Sequence, residues 1–305
     1  MTCPRITVVG SSNFDLFSRP PRFPRPGETL IGGEFRTDFG GKGANQAVTA
    51  ARLGGQVTLV TRIGKDVFGQ GMLQNFEAQG IETRYVFVDE TRASGVADIW
   101  VDDQGQNVII ISPGANGALT PEDARRAADA IQSAAVVVCQ LEVPTETVVE
   151  AFRIARAAGA RTILNTAPAA AIPDELIALS DIVSPNETEI ELLTGLPATT
   201  LDGAAAAAQQ LLARGARTVV VTLGKRGALL AQQDSLRHVS ATPVQAIDTT
   251  GAGDCFIGAL AVFLGEGQSL DQAIEWANIV AGVSVTRRGT QASFPRREEI
   301  AAQLA

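Results

Sequence analysis

The chain is poor in the residues that most often announce a chemistry. It has one histidine in 305 residues, His238, and three widely spaced cysteines, Cys3, Cys139 and Cys255. A histidine-based triad therefore has one candidate. It lies in "SLRHVS", which reads as a surface strand with no nucleophile motif beside it. Three scattered cysteines make neither a disulfide framework nor a zinc site, and they suit a reducing cytosol. Cys255, at a helix start, reads as a buried small hydrophobe. No run of like charge occurs and the net charge is −8. The basic face of a nucleic-acid binder is therefore missing. No apolar run approaches the roughly 20 residues that span a bilayer. The opening "MTCPRITVVG" lacks the charged and apolar regions of a signal peptide and reads as a strand over 6–10. Two nucleotide signatures are also absent. There is no Gly-x-x-x-x-Gly-Lys-Ser/Thr loop, and "GSSNFD" stands where a dinucleotide fingerprint would follow the first strand. The expectation is a cytoplasmic protein with neither nucleic-acid nor membrane partners.

Hydrophobic residues make up 45% of the chain, enough for a large core. Short apolar, β-branched runs at 6–10, 57–64, 135–142, 162–167, 181–186 and 218–224 alternate with amphipathic stretches at 42–53, 66–79, 121–133, 145–158, 187–194 and 202–214. Nearly continuous apolar strands are covered on both faces, so the pattern predicts an α/β fold: a mainly parallel, Rossmann-like sheet sandwiched by helices. Gly159 and Gly215 follow two of the helices at capping distance. Two regions interrupt the alternation. Residues 11–39 are rich in Pro and Gly, with short strands expected near 28–37, and 93–112 read as a hairpin around Asp-Asp-Gln-Gly. They are expected to form one small β lid over a main domain made of 1–10, 40–92 and 113–305; two unrelated surface hairpins are the alternative.

The sharpest motif is "DTTGAGD", Asp248 to Asp254, followed by apolar residues at helical spacing. Gly251, Ala252 and Gly253 thus stand at a helix N-terminus, where unpaired N–H groups and the macrodipole favour an anion. An anion hole with Asp254 as a base at its mouth is one reading; a glycine turn capped by Asp is the other. "FGGKGANQA" opens a second helix. Gly40, Gly41 and Gly43 there free the backbone, and Lys42, Asn45 and Gln46 supply donors and acceptors. They suit a small polyhydroxylated ligand, or a phosphate nest with Lys42 as counterion. Asn13 and Asp15 follow the first strand and share one face of an extended segment, where α/β sheets bind ligands. Glu142 ends another strand, as ligand contact or solvent-facing cap. In "SPNETE", Asn186 and Glu189 suit either a hydrated Mg²⁺ or plain helix capping. Thr222, Gly224 and Gly227 in "VTLGKRG" line a nucleotide or make a simple hairpin turn.

In this order, "GSSNFD", "FGGKGANQA", "NETE", "VTLGKRG" and "DTTGAGD" resemble the ribokinase/PfkB family of carbohydrate kinases over essentially the whole chain. "GGKGANQA" with "PGET" is most similar to the ribokinase branch. The resemblance implies transfer of the ATP γ-phosphate to the 5-hydroxyl of D-ribose. Deoxyribose, fructose or a nucleoside are alternative acceptors, and a catalytically silent sugar-binding regulator is the non-enzymatic one. It implies Asp254 as base, with a pKa near the reference value of about 4 sufficient, and the N–H groups of Gly251, Ala252 and Gly253 as anion hole. Asn13, Asp15, Gly41, Lys42, Asn45 and Glu142 would hold the sugar. Asn186, Thr222, Gly224, Gly227, Gly253 and Asn278 would contact ATP, and Glu189 would organise Mg²⁺ through water. Asp248, Thr250, Ser284, Arg287, Gly289 and Ser293 match the positions of a monovalent-cation site, usually K⁺. A homodimer through the lid is implied too. Phe14 departs from the family's smaller residue, and Asn13 argues for a partner at the sugar's 2-hydroxyl.

Overall fold

The computed structural model describes residues 3–304, so positions 1, 2 and 305 of the expected main domain lie outside the described residues. A nine-stranded sheet forms the centre. Its strands are β1 (Arg5–Val9), β4 (Gln56–Gly64), β5 (Val86–Asp89), β8 (Val136–Cys139), β9 (Arg161–Asn165), β10 (Ile182–Ser184), β11 (Val219–Thr222), β12 (Ala228–Gln232) and β13 (Ser235–Val239). They lie in the order β13-β12-β11-β10-β9-β8-β1-β4-β5. Pairing is parallel from β5 to β11 and antiparallel at β12 and β13.

Alternation along these strands feeds two cores. Ile6, Val8, Val136 and Val138 face helices α1 (Lys42–Arg52), α2 (Val67–Ala78), α9 (Ala252–Gly265) and α10 (Leu270–Ser284). Val9, Val137 and Cys139 face α3 (Pro121–Arg126), α4 (Ala128–Ser133), α5 (Thr145–Ala157), α6 (Asp174–Leu179), α7 (Glu187–Thr194) and α8 (Leu201–Ala213). A strand covered on both faces has no polar side to spare, which is why the sequence reads as unbroken apolar runs. A short α11 (Arg297–Ile300) and a 3-10 turn (Ala301–Gln303) end the chain's regular structure.

Four more strands form a second sheet, in the order β3-β2-β6-β7: β2 (Asn13–Ser18), β3 (Phe35–Gly40), β6 (Gly95–Val101) and β7 (Asn107–Ser112). The two excursions therefore build one sheet, joined by parallel pairing of β2 with β6. The strand expected near 28–37 starts only at Phe35. Upstream, Pro20, Pro21, Pro24 and Pro26 withhold ladder donors, and the chain turns instead through Glu28 N to Arg25 O. The helix expected over 121–133 is broken at Ala127 into α3 and α4. The short strand β5 and helix α10 were not anticipated.

Chain order and strand order together locate a binding crevice. From β1 the sheet grows outward through β4 and β5. The chain then returns to the other side of β1 with β8 and continues to β11. The order reverses between β1 and β8, and crevices form at the carboxyl ends of strands at such a point.

Candidate active site

The carboxyl ends of β1, β8, β9, β10 and β11 deliver Asn13, Glu142, Asn165, Asn186 and Thr222 to one rim. A cleft of ≈ 180 Å³ lies there. Lys42, Asn186, Glu189, Thr222, Gly253 and Asp254 stand in its wall, and Gly251 and Ala252 complete its floor. A larger cavity of ≈ 730 Å³ opens at the amino ends of β1 and β4, beside Arg5, Gln56, Glu82 and Arg84. It holds none of the candidate residues.

Gly251 caps α9 with φ 76°, a left-handed conformation. The turn aims the first N–H groups of the helix into the cleft. Among the described residues, the amides of Gly251 and Gly253 have no acceptor, whereas that of Ala252 reaches Thr249 O at 3.3 Å. A Cβ on Gly253 would meet no protein atom within 4 Å, so the missing side chain leaves open space in front of its donor. This is an anion site built on backbone groups.

Asp254 follows in the first turn of α9 and is 7% exposed. Asn45 Nδ2 donates to its Oδ2 at 2.9 Å and Gln46 Nε2 to its Oδ1 at 3.1 Å. Burial raises its pKa, against the pull of Lys42 and these two amides. The expectation of a value near the reference is corrected accordingly: a helix start at the bottom of a cleft is far drier than a surface turn. Lys42 is dehydrated as well, but the charges of Asp254, Glu142 and Glu189 lift its ammonium above the ordinary lysine value.

On the other side of Asp254, Glu142 Oε2 accepts from Ser11 Oγ at 2.5 Å and from Lys42 N at 3.0 Å. It turns inward onto the start of α1 and is no solvent-facing cap. Asn13 Oδ1 accepts from Asn116 Nδ2 at 2.7 Å, and Asn116 also bonds both backbone groups of Ser12. Asn13 is thereby fixed with its own N–H groups offered to a ligand. Asp15 shares the Asn13 face of β2, opposite Asp38 on β3. Burial, then Asp38, Glu142 and Asp254, push its carboxyl up to about 8. Phe14 points to the other face and packs on Phe68 and Phe39, at ring centroid distances of 4.6 and 5.5 Å. It therefore lies outside the wall that Asn13 and Asp15 make.

Asn186 and Glu189 form a capping box at the start of α7. Glu189 Oε2 also accepts from Thr166 Oγ1 at 3.1 Å, and burial raises the pKa of this carboxyl. The capping role does not remove Glu189 from the cleft wall. Gly224 and Gly227 make the turn between β11 and β12, and Asn278 Nδ2 donates to Val239 O at 3.3 Å. None of these three lines the cleft.

The remaining candidates converge beside α9. Asp248 Oδ1 accepts from Thr250 N and Oγ1, and its Oδ2 from Gly289 N at 3.1 Å. Burial works against its charge, but these bonds and Arg36 hold it below the usual carboxylate range. Ser293 Oγ and N both turn to Thr290 O, and Arg287 N donates to Ser284 O at 3.2 Å. Thr290 Oγ1 is buried there with no hydrogen-bond partner. Gln46, read with Lys42 and Asn45 as a source of donors and acceptors, does reach the site. Sequence reasoning missed Asn116, Gln140, Asn165, Thr166 and Gln291, since nothing local distinguishes them. His238 is exposed and its Nε2 pairs with Arg226 O at 2.7 Å, away from the cleft. Burial pushes the Cys255 thiol up to about 12.

A parallel sheet with a crevice at its switch point, a bare helix start and a buried carboxylate beside it define a phosphoryl-transfer scaffold. Comparison with known proteins agrees. The model of the pfkB family carbohydrate kinases matches residues 4–297, and the chain belongs to that family. It is similar to a ribokinase of Staphylococcus aureus, 43% identical over 97% of this chain and 98% of the relative. It is similar to a deoxyribokinase of Salmonella typhi, 42% identical over 96% of each chain. The solved structure of Arabidopsis thaliana ribokinase complexed with ribose and ATP superposes with a TM-score of 0.93 at 33% identity, covering 99% of both chains. No helix among the described residues is long and apolar enough to cross a membrane.

Proposed function

We propose that the protein transfers the γ-phosphoryl group of ATP to the 5-hydroxyl of D-ribose. The observation that carries this reading is the pairing of a buried, doubly hydrogen-bonded Asp254 with the free N–H groups of Gly251 and Gly253 across one cleft. The ribokinase relatives and the ribose–ATP complex of the Arabidopsis protein support it. Asp254 takes the proton of the sugar hydroxyl as that oxygen bonds to phosphorus and the bond to the ADP oxygen breaks. The N–H groups of Gly251 and Gly253 receive the charge that builds on the transferring group's oxygens. The raised pKa suits a base, because it brings the group closer to the pH at which it must accept the proton.

Asn13, Asp15, Gly41, Lys42, Asn45 and Glu142 would hold the sugar. Asn186, Thr222 and the cleft face of Gly253 would receive the nucleotide, with Gly224, Gly227 and Asn278 outside its immediate wall. No group of three acidic, histidine or cysteine side chains that could hold a metal ion occurs among the described residues. A single carboxylate, Glu189, fits a hydrated Mg²⁺ carried mainly by the nucleotide's phosphates, whose charge the ion would offset. The hard oxygens of Asp248, Thr250, Ser284, Arg287, Gly289 and Ser293, with the orphaned Thr290 hydroxyl, fit a monovalent cation such as K⁺. Such an ion would steady the anion hole, since the Thr290 methyl and Phe294 crowd Gly251.

Residues 11–39 and 93–112 act as a lid over the sugar, and excluding water matters because water is the competing acceptor. On the lid's outer edge, Val108, Ile109, Ile110 and Ile111 are 40–55% exposed. An apolar edge strand of this kind invites a second copy, which supports a homodimer through the lid. Deoxyribose is the second acceptor to weigh, given the Salmonella relative. Asn13 argues for ribose, since its fixed N–H groups would lose a partner without a 2-hydroxyl. The test is ADP release with Mg-ATP and K⁺ across ribose, deoxyribose, fructose and adenosine, for the wild type and Asp254→Asn. Preferential ribose turnover that falls by about 10²–10⁴-fold in the variant is expected. Wild-type rates in the variant would remove Asp254 from the chemistry.

A further inference from the structure

The candidate base is set in a chain of buried carboxamides. Asn45 and Gln46 donate to its two oxygens. Each of these amides is held at its other end by a further amide. Gln291 Nε2 donates to Asn45 Oδ1 at 3.1 Å, and Gln140 Nε2 donates to Gln46 Oε1. Gln291 Oε1 in turn accepts from Asn75 Nδ2 at 2.9 Å. Asn45, Gln46, Gln140 and Gln291 are all 5% exposed or less.

Carboxamides have donors on one side and an acceptor on the other, whereas an ionised carboxylate only accepts. Asp254 needs the N–H side of Asn45. Gln291 enforces that side, because a reversed Asn45 would set two donors against each other and an oxygen against the carboxylate. The second hydrogen on Asn45 Nδ2 stays free for a ligand. Gln291 itself cannot drift. Arg52 Nη1 clamps the carbonyls of Gln291 and Phe294 at 2.5 and 2.8 Å, and Thr290 N donates to Asp38 Oδ2 at 3.1 Å. Gln291 lies within 287–293, the segment read as half of the cation site.

We propose that Gln291 is a positioning residue: acting through Asn45, it orients the Asp254 carboxylate and ties that orientation to the 287–293 loop. The proposal rests on Asp254 being the base. Nothing near Gln291 in the chain announces the role, since it is separated from Asn45 by 246 positions.

The experiment is a double-mutant cycle in steady-state kinetics. Wild type, Gln291→Met, Asn45→Ala and the double variant are assayed from pH 5 to 9, with Asp254→Asn beside them and thermal unfolding of each. Gln291→Met keeps the side chain's length and loses both hydrogen bonds. It is expected to lower kcat about tenfold with the KM for ATP unchanged, the order expected for one bond to a charged group. The acidic limb of the kcat–pH profile should move to higher pH, because a carboxylate with a poorer donor holds its proton longer. In the Asn45→Ala background the same change should cost less than twofold, since the path through Asn45 is already gone. Gln291→Glu gives a second reading if the methionine variant does not fold. It keeps the acceptor for Asn75 but attracts the Asn45 N–H away from Asp254, so a larger loss of kcat is expected. Full kcat in either folded variant, an unmoved pH limb, or equal losses in both backgrounds would overturn the proposal. Failure of the base reading is seen separately, as retained turnover in Asp254→Asn.

Discussion

Replacing Asp15 by asparagine should stabilise the free protein while weakening its hold on sugar. Asp15 is 5% exposed, and burial with Asp38, Glu142 and Asp254 nearby lifts its carboxyl from 3.8 to about 8; Arg36 pulls weakly the other way. An acid whose folded-state pKa exceeds its unfolded value contributes stability that is complete below the unfolded value. That contribution is lost as pH rises toward the folded one. Between pH 4 and 8 the wild type should therefore lose about 1.4 kcal/mol per pH unit at this group, and asparagine should not. At pH 7 the accumulated difference is roughly 4 kcal/mol. For a chain of 305 residues, an unfolding entropy of about 2.1 cal/mol/K per residue converts this to about 6 °C in Tm. The assay is thermal unfolding of both proteins at half-unit steps from pH 4 to 8.5, without ligand. The Tm gap should be near zero at pH 4, widen steadily and level off near pH 8. Ribose KM should rise about tenfold in the variant, because the amide replaces one carboxyl oxygen with an NH2 group that cannot accept from a sugar hydroxyl. A Tm gap that stays constant across this range would refute the electrostatic account of the pocket.

Three further outcomes follow from the same geometry. Gly251→Ala should abolish most turnover and lower stability by about 1–3 kcal/mol, read by kinetics and thermal unfolding. It places a Cβ 2.9 Å from Phe294 Cζ and Thr290 Cγ2, at φ 76°. Asn116→Ala should raise the ribose KM about tenfold with the KM for ATP unchanged, since Asn116 holds the Asn13 amide and stands apart from the nucleotide cleft. Ile110→Lys, at the most exposed position of the β7 hydrophobic run, should yield monomers in sedimentation velocity, whereas the wild type is expected to sediment as a dimer.

The parallel sheet was legible because burial on both faces leaves an unmistakable run of β-branched residues, as in β8, where all four residues are buried. The strand expected near 28–37 was partly misplaced. Alternating residues suggested pairing there, but four prolines upstream removed the donors that pairing needs. The bare start of α9 was legible for a local reason: glycines, a helix signal and a carboxylate sit within seven positions. Ala252 was counted among the free donors, yet its amide is already turned to Thr249 O. That detail is set by the exact path of one turn. The Asn186–Glu189 pair caps α7, as one reading had it, and also faces the cleft.

Residue order by itself determined the strand and helix alphabet, the glycine-rich helix starts, and the carboxylates and amides placed just after strands. Those properties depend on neighbours within a few positions, where propensity and periodicity act. Only the tertiary structure decided which of these groups meet. The reversal of strand order between β1 and β8 brings the ends of five strands to one rim. Packing of α1 against α9 sets Asn45 and Gln46 on Asp254, more than 200 residues away. Gln140 and Gln291 enter the site only because their amides are buried where another amide needs a partner. A hydrogen bond takes its value from desolvation and direction, and both are properties of the assembled site.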